Sequence, residues 1–127
     1  MTFRFEPNAA LLLVRVELIG PTGKAFLKLA LDTGATRTLI NPEMLIAVGY
    51  DPTQATSYTD ITTGSRVERA ADVFVLGLTA LGRTRQNLKV HAHALPPRAS
   101  IDGLLGLDFF RGLNLNIDFR NGVITLA

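Results

Sequence analysis

Three features of the 127-residue sequence predict an all-β domain with little helix. Apolar residues recur at every second position in short runs, which is the periodicity of strands with one buried face. Gly, Pro and Asn separate these runs, and those residue types favour turns. A chain of this length buries one core, so we expect residues 1–127 to form a single domain.

The first two strands are predicted to form a β-hairpin. Leu11–Leu18 and Lys24–Leu31 flank a Gly-Pro-Thr-Gly turn at residues 20–23. Alternate leucines of the second strand share one face, as the period of a strand requires. Asp32 follows directly where this apolar strand ends. The sequence therefore places a carboxylate at the margin of the predicted core.

A short strand and a brief helix are predicted next. Thr38–Ile40 is a short apolar run. Asn41 and Pro42 then have the residue types of a helix N-cap followed by proline in the first turn. Gly49 is the residue expected just beyond the C-terminus of the helix. The helix should therefore be brief.

The next strands are predicted to be Gln54–Ile61, Arg66–Leu76 and Asn87–Leu95, followed by shorter runs near the C-terminus. Residues 62–65 (Thr-Thr-Gly-Ser) separate the first two of these strands and predict a hairpin with a small, polar tip. Asn121-Gly122 is the strongest short hairpin signal in the chain and predicts a last hairpin. These elements complete an all-β fold.

Two histidines, His91 and His93, share one face of the strand Asn87–Leu95, an arrangement that could in principle bind a metal ion. The chain has no cysteine, and no third ligand stands at an obvious spacing. We therefore interpret both histidines as solvated side chains on a strand face, and we predict no metal site. The basic residues nearby are interpreted in the same way: Arg83, Arg85 and Lys89.

Composition excludes several classes of function. Thirteen Lys and Arg against eleven Asp and Glu give a net charge of +2 without a basic block, so no nucleic-acid partner is predicted. No apolar run approaches the roughly 20 residues that span a bilayer, and no secretory signal is recognised, so a cytoplasmic protein is expected. Residues 103–106 (Gly-Leu-Leu-Gly) lack the Lys-Ser or Lys-Thr of a phosphate-binding loop. No cofactor is expected.

The tripeptide Asp-Thr-Gly at residues 32–34 is the strongest remaining candidate for chemistry. It places a carboxylate beside a short hydroxyl and a residue without Cβ, where another backbone can approach closely. The same residue types also favour an Asx-type turn with no chemical role. The tripeptide alone leaves both interpretations open.

Residues 31–36 (LDTGAT) and 104–110 (LLGLDFF) together resemble the active-site segments of the retropepsin-like aspartic proteases. The resemblance covers nearly the whole chain, because the hairpins and the two segments follow each other in the family's order. It implies a closed β-barrel with a flap hairpin and one or two short helices. It also assigns roles: Asp32 as the catalytic acid; Thr33, Gly34, Ala35 and Thr36 in the supporting active-site loop, with the Thr33 hydroxyl tying two loops together; Thr62, Thr63 and Gly64 in the flap; and Leu104, Leu105 and Gly106 in the hydrophobic-glycine segment.

The resemblance implies an aspartic endopeptidase that hydrolyses bonds in peptide or protein substrates. In such an enzyme two neighbouring carboxylates share one proton, activate a water molecule and protonate the leaving amine. Activity should then follow a bell-shaped pH dependence on the acid side of neutrality. The sequence contains one Asp-Thr-Gly, so the second carboxylate is expected to be Asp32 of another copy, in a two-fold homodimer.

The chain ends are the expected dimer contacts. Thr2–Phe5 alternates at period two, and Val123–Leu126 is an apolar strand with no later segment to cover it. In retroviral relatives the termini of two subunits interleave in one sheet. By resemblance, the candidates here are Met1–Phe5 and Val123–Ala127.

Two alternatives to the enzyme stay open at the level of sequence. One is a catalytically weak or inactive module of the same fold that binds or dimerises, because fold alone does not establish activity. The other is a plain β-domain in which Asp-Thr-Gly occurs by chance, and a failure to dimerise would support it. The intact Asp-Thr-Gly favours the enzyme.

Overall fold

The computed structural model describes residues 2–127 and confirms the predicted mostly β architecture. Two short helices accompany the strands, α1 (Pro42–Ala47) and α2 (Leu107–Phe110). The strands are β1 (Thr2–Arg4), β2 (Leu13–Gly20), β3 (Gly23–Leu31), β4 (Leu39–Ile40), β5 (Tyr58–Thr63), β6 (Arg66–Ala80), β7 (Arg83–Ala92), β8 (Gly103–Leu105), β9 (Leu115–Asp118) and β10 (Val123–Leu126).

Six of the strands close into a barrel. They pair in the order β2-β3-β8-β4-β7-β6, and β6 pairs again with β2, which joins the two ends of the sheet. Strand β5 extends this sheet as the outer strand of a hairpin with β6. Strands β3 and β8 run parallel, with Leu31 opposite Leu105. The residues that follow these two strands, Asp32 and Gly106, therefore emerge at the same edge of the barrel.

The core fills the inside of the barrel with the alternate apolar residues that the strand period predicts. Val14, Val16 and Leu18 of β2 are buried, as are Leu27 and Leu29 of β3. Burying each such side chain contributes about 1.5–3 kcal/mol. The hydrophobic pattern that predicts the strands therefore also fixes which face of each strand points inward.

Helix α1 forms where the sequence predicts it. The side chain of Asn41 accepts a hydrogen bond from the N–H of Glu43, and Pro42 occupies the first turn. Gly49 follows the C-terminus with φ of +102°, a conformation that glycine adopts without a Cβ clash. Neither helix of residues 2–127 is long and apolar enough to cross a membrane.

Several strand boundaries differ from the prediction; β6 extends to Ala80 rather than Leu76, and β7 runs from Arg83 to Ala92 rather than from Asn87 to Leu95. Pro52–Gln54 forms a short 3-10 turn, with Asp51 accepting from the N–H of Thr53, so β5 begins only at Tyr58. The hairpin that joins β6 to β7 was not predicted. Its turn contains Leu81, whose φ is +51°, and leucine gives no signal for a left-handed conformation.

The prediction that Arg83, Arg85 and Lys89 are solvated holds for Arg83, which is exposed. Lys89 is partly buried, and for Arg85 the prediction is wrong. The guanidinium of Arg85 is partly buried and donates to the carbonyl oxygens of Phe109, at 2.8 Å, and Arg111. These are carbonyl groups at the end of α2, which no later helical turn can satisfy. Arg85 therefore stabilises the end of that helix.

The expectation that the last strand is left uncovered is also wrong, whereas β1 is an edge strand whose Thr2 and Arg4 are exposed. The dimer contacts predicted for the chain ends stay a prediction. Strand β10 lies between β1 and β9 in a three-stranded sheet, and Ile124 and Leu126 are 2% exposed. The partners of β10 are thus supplied by the same chain: β1 precedes it in sequence and β9 forms a hairpin with it. Met1, part of the predicted contact, lies outside the described residues.

Candidate active site

Asp32 is held at the edge of the barrel where β3 ends. Its N–H donates to the carbonyl oxygen of Leu105 on β8, at 2.9 Å. One carboxylate oxygen, Oδ1, accepts a hydrogen bond from the N–H of Gly34 at 2.9 Å, and the residue is partly buried. This is the Asx-type turn that the sequence favours. The turn also fixes the carboxylate in place, so the turn and a chemical role are compatible.

Two glycines let the active-site segments approach closely. A Cβ at Gly34 would lie 3.1 Å from Oδ1 of Asp32. A Cβ at Gly106 would lie 2.7 Å from the backbone carbonyl carbon of Arg37 and 2.8 Å from the carbonyl oxygen of Ala35. The second contact is with backbone atoms, which cannot rotate away. Glycine is therefore required where the segment after β8 packs against the loop that carries Asp32.

Thr38 and Asp108 fasten these two segments to each other. The N–H of Thr38 donates to both carboxylate oxygens of Asp108, at 3.0 and 2.9 Å, and its hydroxyl donates to Oδ1 at 2.8 Å. The same hydroxyl accepts from the N–H of Gly106 at 3.2 Å. Thr38 is completely buried. No role was predicted for either residue, although a threonine within an apolar run needs a hydrogen-bond partner when it is buried.

The role predicted for Thr33 stays a prediction. Thr33 is exposed, and its hydroxyl has no hydrogen bond with residues 2–127. Within one chain it is the Thr38 hydroxyl that connects the two active-site segments.

A cavity of about 1120 Å³ lies between the Asp32 loop and the β5–β6 hairpin. Asp32 and Thr33 lie outside its lining, and Leu105 and Gly106 are buried. The structure brings the other predicted site residues together around it: Gly34, Ala35, Thr36, Thr62, Thr63, Gly64 and Leu104.

The β5–β6 hairpin has the position predicted for the flap. Thr62 and Thr63 are the last residues of β5, and the turn consists of Gly64 and Ser65. Gly64 has φ of +63°, as the first position of a tight hairpin turn requires. The tip is therefore narrower than the four residues that the sequence predicted.

The interpretation of the histidines as solvated was wrong. His91 is 6% exposed, and its Nδ1 lies 3.0 Å from Oδ1 of Asp72. Both faces of β7 are covered here, because Val90 and Ala92 on one face and His91 on the other are all buried. Among residues 2–127 no cluster of three or more potential metal ligands occurs.

His93 joins the flap hairpin to the barrel. Its Nε2 lies 2.6 Å from Oε2 of Glu68 on β6, and the hydroxyl of Thr63 on β5 donates to the same oxygen at 3.2 Å. All three side chains belong to residues that line the cavity. One carboxylate thus connects both flap strands to the segment after β7.

Asp72, the acid that contacts His91, is buried, with 7% of its surface exposed. Burial raises the pKa of its carboxyl group, but hydrogen bonds from Thr59, Ser57 and His91 outweigh that effect and lower the pKa below its usual 3.8. The unfolded chain therefore binds this proton more readily than the folded chain. The stability that Asp72 contributes is present above about pH 4 and is lost as the pH falls through the folded pKa.

Asp72→Asn should lower the free energy of unfolding at pH 7 by about 1–2 kcal/mol, because the charge-assisted hydrogen bonds are lost. The difference from wild type should narrow as the pH falls below about 4, where the wild-type carboxylate also becomes protonated. Urea denaturation at both pH values measures this. Asp60→Asn is the control, because Asp60 is an exposed acid on the same hairpin. If the loss of stability in Asp72→Asn were the same at both pH values, the lowered pKa of Asp72 would be contradicted.

Comparisons with known proteins agree with this geometry. The family model described as "gag-polyprotein putative aspartyl protease" matches residues 22–112. The structure is similar to that of a retropepsin-like aspartic protease from Rickettsia conorii, with a TM-score of 0.73 and 20% sequence identity, over 99% of this chain and 88% of that one. Comparison with curated proteins finds no match. The family match covers both active-site segments, and the structural similarity shows the fold.

Proposed function

Because this chain belongs to the retropepsin-like aspartic proteases, we propose that it is an aspartic endopeptidase whose catalytic pair is formed by Asp32 of two copies. The observation that carries the proposal is the fixed carboxylate of Asp32 on a loop that borders a cavity covered by a hairpin. Hydrolysis of a peptide bond by this route needs no nucleophilic side chain and no cofactor.

No hydrogen bond joins the carboxylate of Asp32 to another acid among residues 2–127. The carboxylate of Asp108 is engaged by Thr38, and that of Asp102 accepts a hydrogen bond from the N–H of Lys28 at 2.8 Å. Asp32 and Thr33 also lie outside the cavity lining of the single chain. These observations support a two-fold homodimer in which the second copy packs against the Asp32 loop and completes the site.

The chemistry follows from two close carboxylates with one shared proton. Two like charges a few ångströms apart do not both ionise, so one group is a base and the other an acid. The ionised group takes a proton from the attacking water, and the protonated group donates to the carbonyl oxygen of the substrate. The proton taken from the water then passes to the leaving amine, and the peptide bond breaks.

A dilution series tests the homodimer. Each active site needs two chains, so specific activity on a peptide-library substrate should fall once the protein is diluted below the dissociation constant of the dimer. Sedimentation velocity over the same concentrations should show the dimer giving way to monomer in parallel. A monomer whose specific activity stays constant on dilution would contradict the proposal.

A further inference from the structure

The cavity under the flap holds a positive charge that the chain leaves without a partner. Arg37 lines the cavity beside Thr36 and is partly buried. Three ion pairs form among the described residues, and none of them includes Arg37. No hydrogen bond joins its guanidinium group to residues 2–127 either.

Arg85 is a second partly buried arginine, and its hydrogen bonds can be compared with those of Arg37. Of the arginines whose burial the structure describes, Arg37 and Arg85 are the two that are not exposed. Arg85 is satisfied by the carbonyl oxygens of Phe109 and Arg111. Arg37 is therefore the exception, because no acceptor among residues 2–127 binds its guanidinium group, whose nitrogens keep contact with water.

The other charged groups around the cavity do not have this property. Glu68 is paired with His93 at 2.6 Å, and His91 is paired with Asp72 at 3.0 Å. Asp60 lies on the flap strand and is exposed, so water solvates it and it requires no partner. Arg37 is thus the partly buried, unpaired charge in the cavity lining that remains available to a ligand.

We propose that Arg37 is a specificity residue that binds the carboxylate of an Asp or Glu side chain in the peptide substrate. A guanidinium group stays charged and presents a planar fork of N–H donors that matches a carboxylate with two parallel hydrogen bonds. This inference rests on the proposed function, because it names the substrate class of the same cavity. The substrate should carry the acidic residue at one fixed position relative to the cleaved bond, because Arg37 lies on the loop that positions Asp32.

The test uses the full-length protein and statine-containing hexapeptides in which each flanking position in turn carries Glu, its neutral isostere Gln, or Lys. Wild type should bind the Glu peptide at one position at least about tenfold more tightly than the Gln peptide, measured by calorimetry. Arg37→Glu should lose that preference and favour Lys at the same position. Arg83→Glu makes the same charge change at an exposed site outside the cavity and should behave as wild type.

Two results would overturn the inference. One is equal affinity of wild type for the Glu and Gln peptides at every position. The other is an Arg37→Glu variant that keeps the wild-type preference but forms a weaker dimer in sedimentation, which would assign the partner of Arg37 to the second copy. Asp32-dependent cleavage of neutral peptides without an acidic preference would refute this inference alone. An acidic preference in a protein that cleaves nothing would refute the proposed function alone.

Discussion

Asp32→Asn should reduce peptide hydrolysis at least about 1000-fold while leaving the protein folded. The amide can neither accept the proton of the attacking water nor deliver one to the leaving amine. Its oxygen can still accept the hydrogen bond from Gly34 that now binds Oδ1, so the turn should survive. Turnover of a peptide library and the free energy of unfolding, measured on the same preparation, separate the two effects.

Asp60→Asn is the matched control for this change. Asp60 also borders the cavity but is exposed on the flap strand, so its neutralisation should change turnover less than about tenfold. A well-folded Asp32→Asn variant with near-normal turnover would rule out the mechanism. A wild type that dimerises and binds statine peptides without cleaving any substrate would instead favour the inactive binding module.

Asp108→Ala should lower the free energy of unfolding by about 2–4 kcal/mol and reduce activity with it. The substitution leaves the buried N–H and hydroxyl of Thr38 without acceptors, and each such orphaned group costs about 1–3 kcal/mol. Activity should fall because the same contacts hold the segment after β8 against the Asp32 loop. Chemical denaturation and kcat/KM measure the two losses.

Asp108→Asn is the control here, because its amide oxygen can still accept from Thr38. It should retain most of the stability and activity that Asp108→Ala loses. A double-mutant cycle with Thr38→Val should give a coupling energy above about 1 kcal/mol. If the two single substitutions add without coupling, the pair does not fasten the segments together.

The sequence predicted those parts of the fold that depend on local signals. The first hairpin and α1 follow from strand periodicity, turn residues and the Asn41-Pro42 cap, each of which acts over a few residues. The family resemblance identified the two segments that carry Asp32 and Gly106. The parallel pairing of β3 with β8 brings both residues to one edge of the barrel, and the catalytic role of Asp32 stays a prediction.

The parts of the fold and the site that the sequence did not predict depend on contacts between distant segments. The bond between Thr38 and Asp108 spans 70 residues, and neither residue has a local signal for the other. The histidines were misjudged because the alternation in β7 shows which residues share a face but does not show that both faces are covered near its end. The last strand was misjudged because a chain with no later segment can still cover that strand with its first one.

The central claim is that one active site needs Asp32 from two chains, and subunit mixing tests it most directly. Wild-type and Asp32→Asn chains are combined at a fixed total concentration above the dissociation constant, allowed to exchange, and assayed as the wild-type fraction varies. If both carboxylates are required, activity follows the square of that fraction, so an equal mixture retains about a quarter of wild-type activity. Activity in direct proportion to the wild-type fraction, with about half retained in the equal mixture, would show that each chain acts alone and would contradict the account.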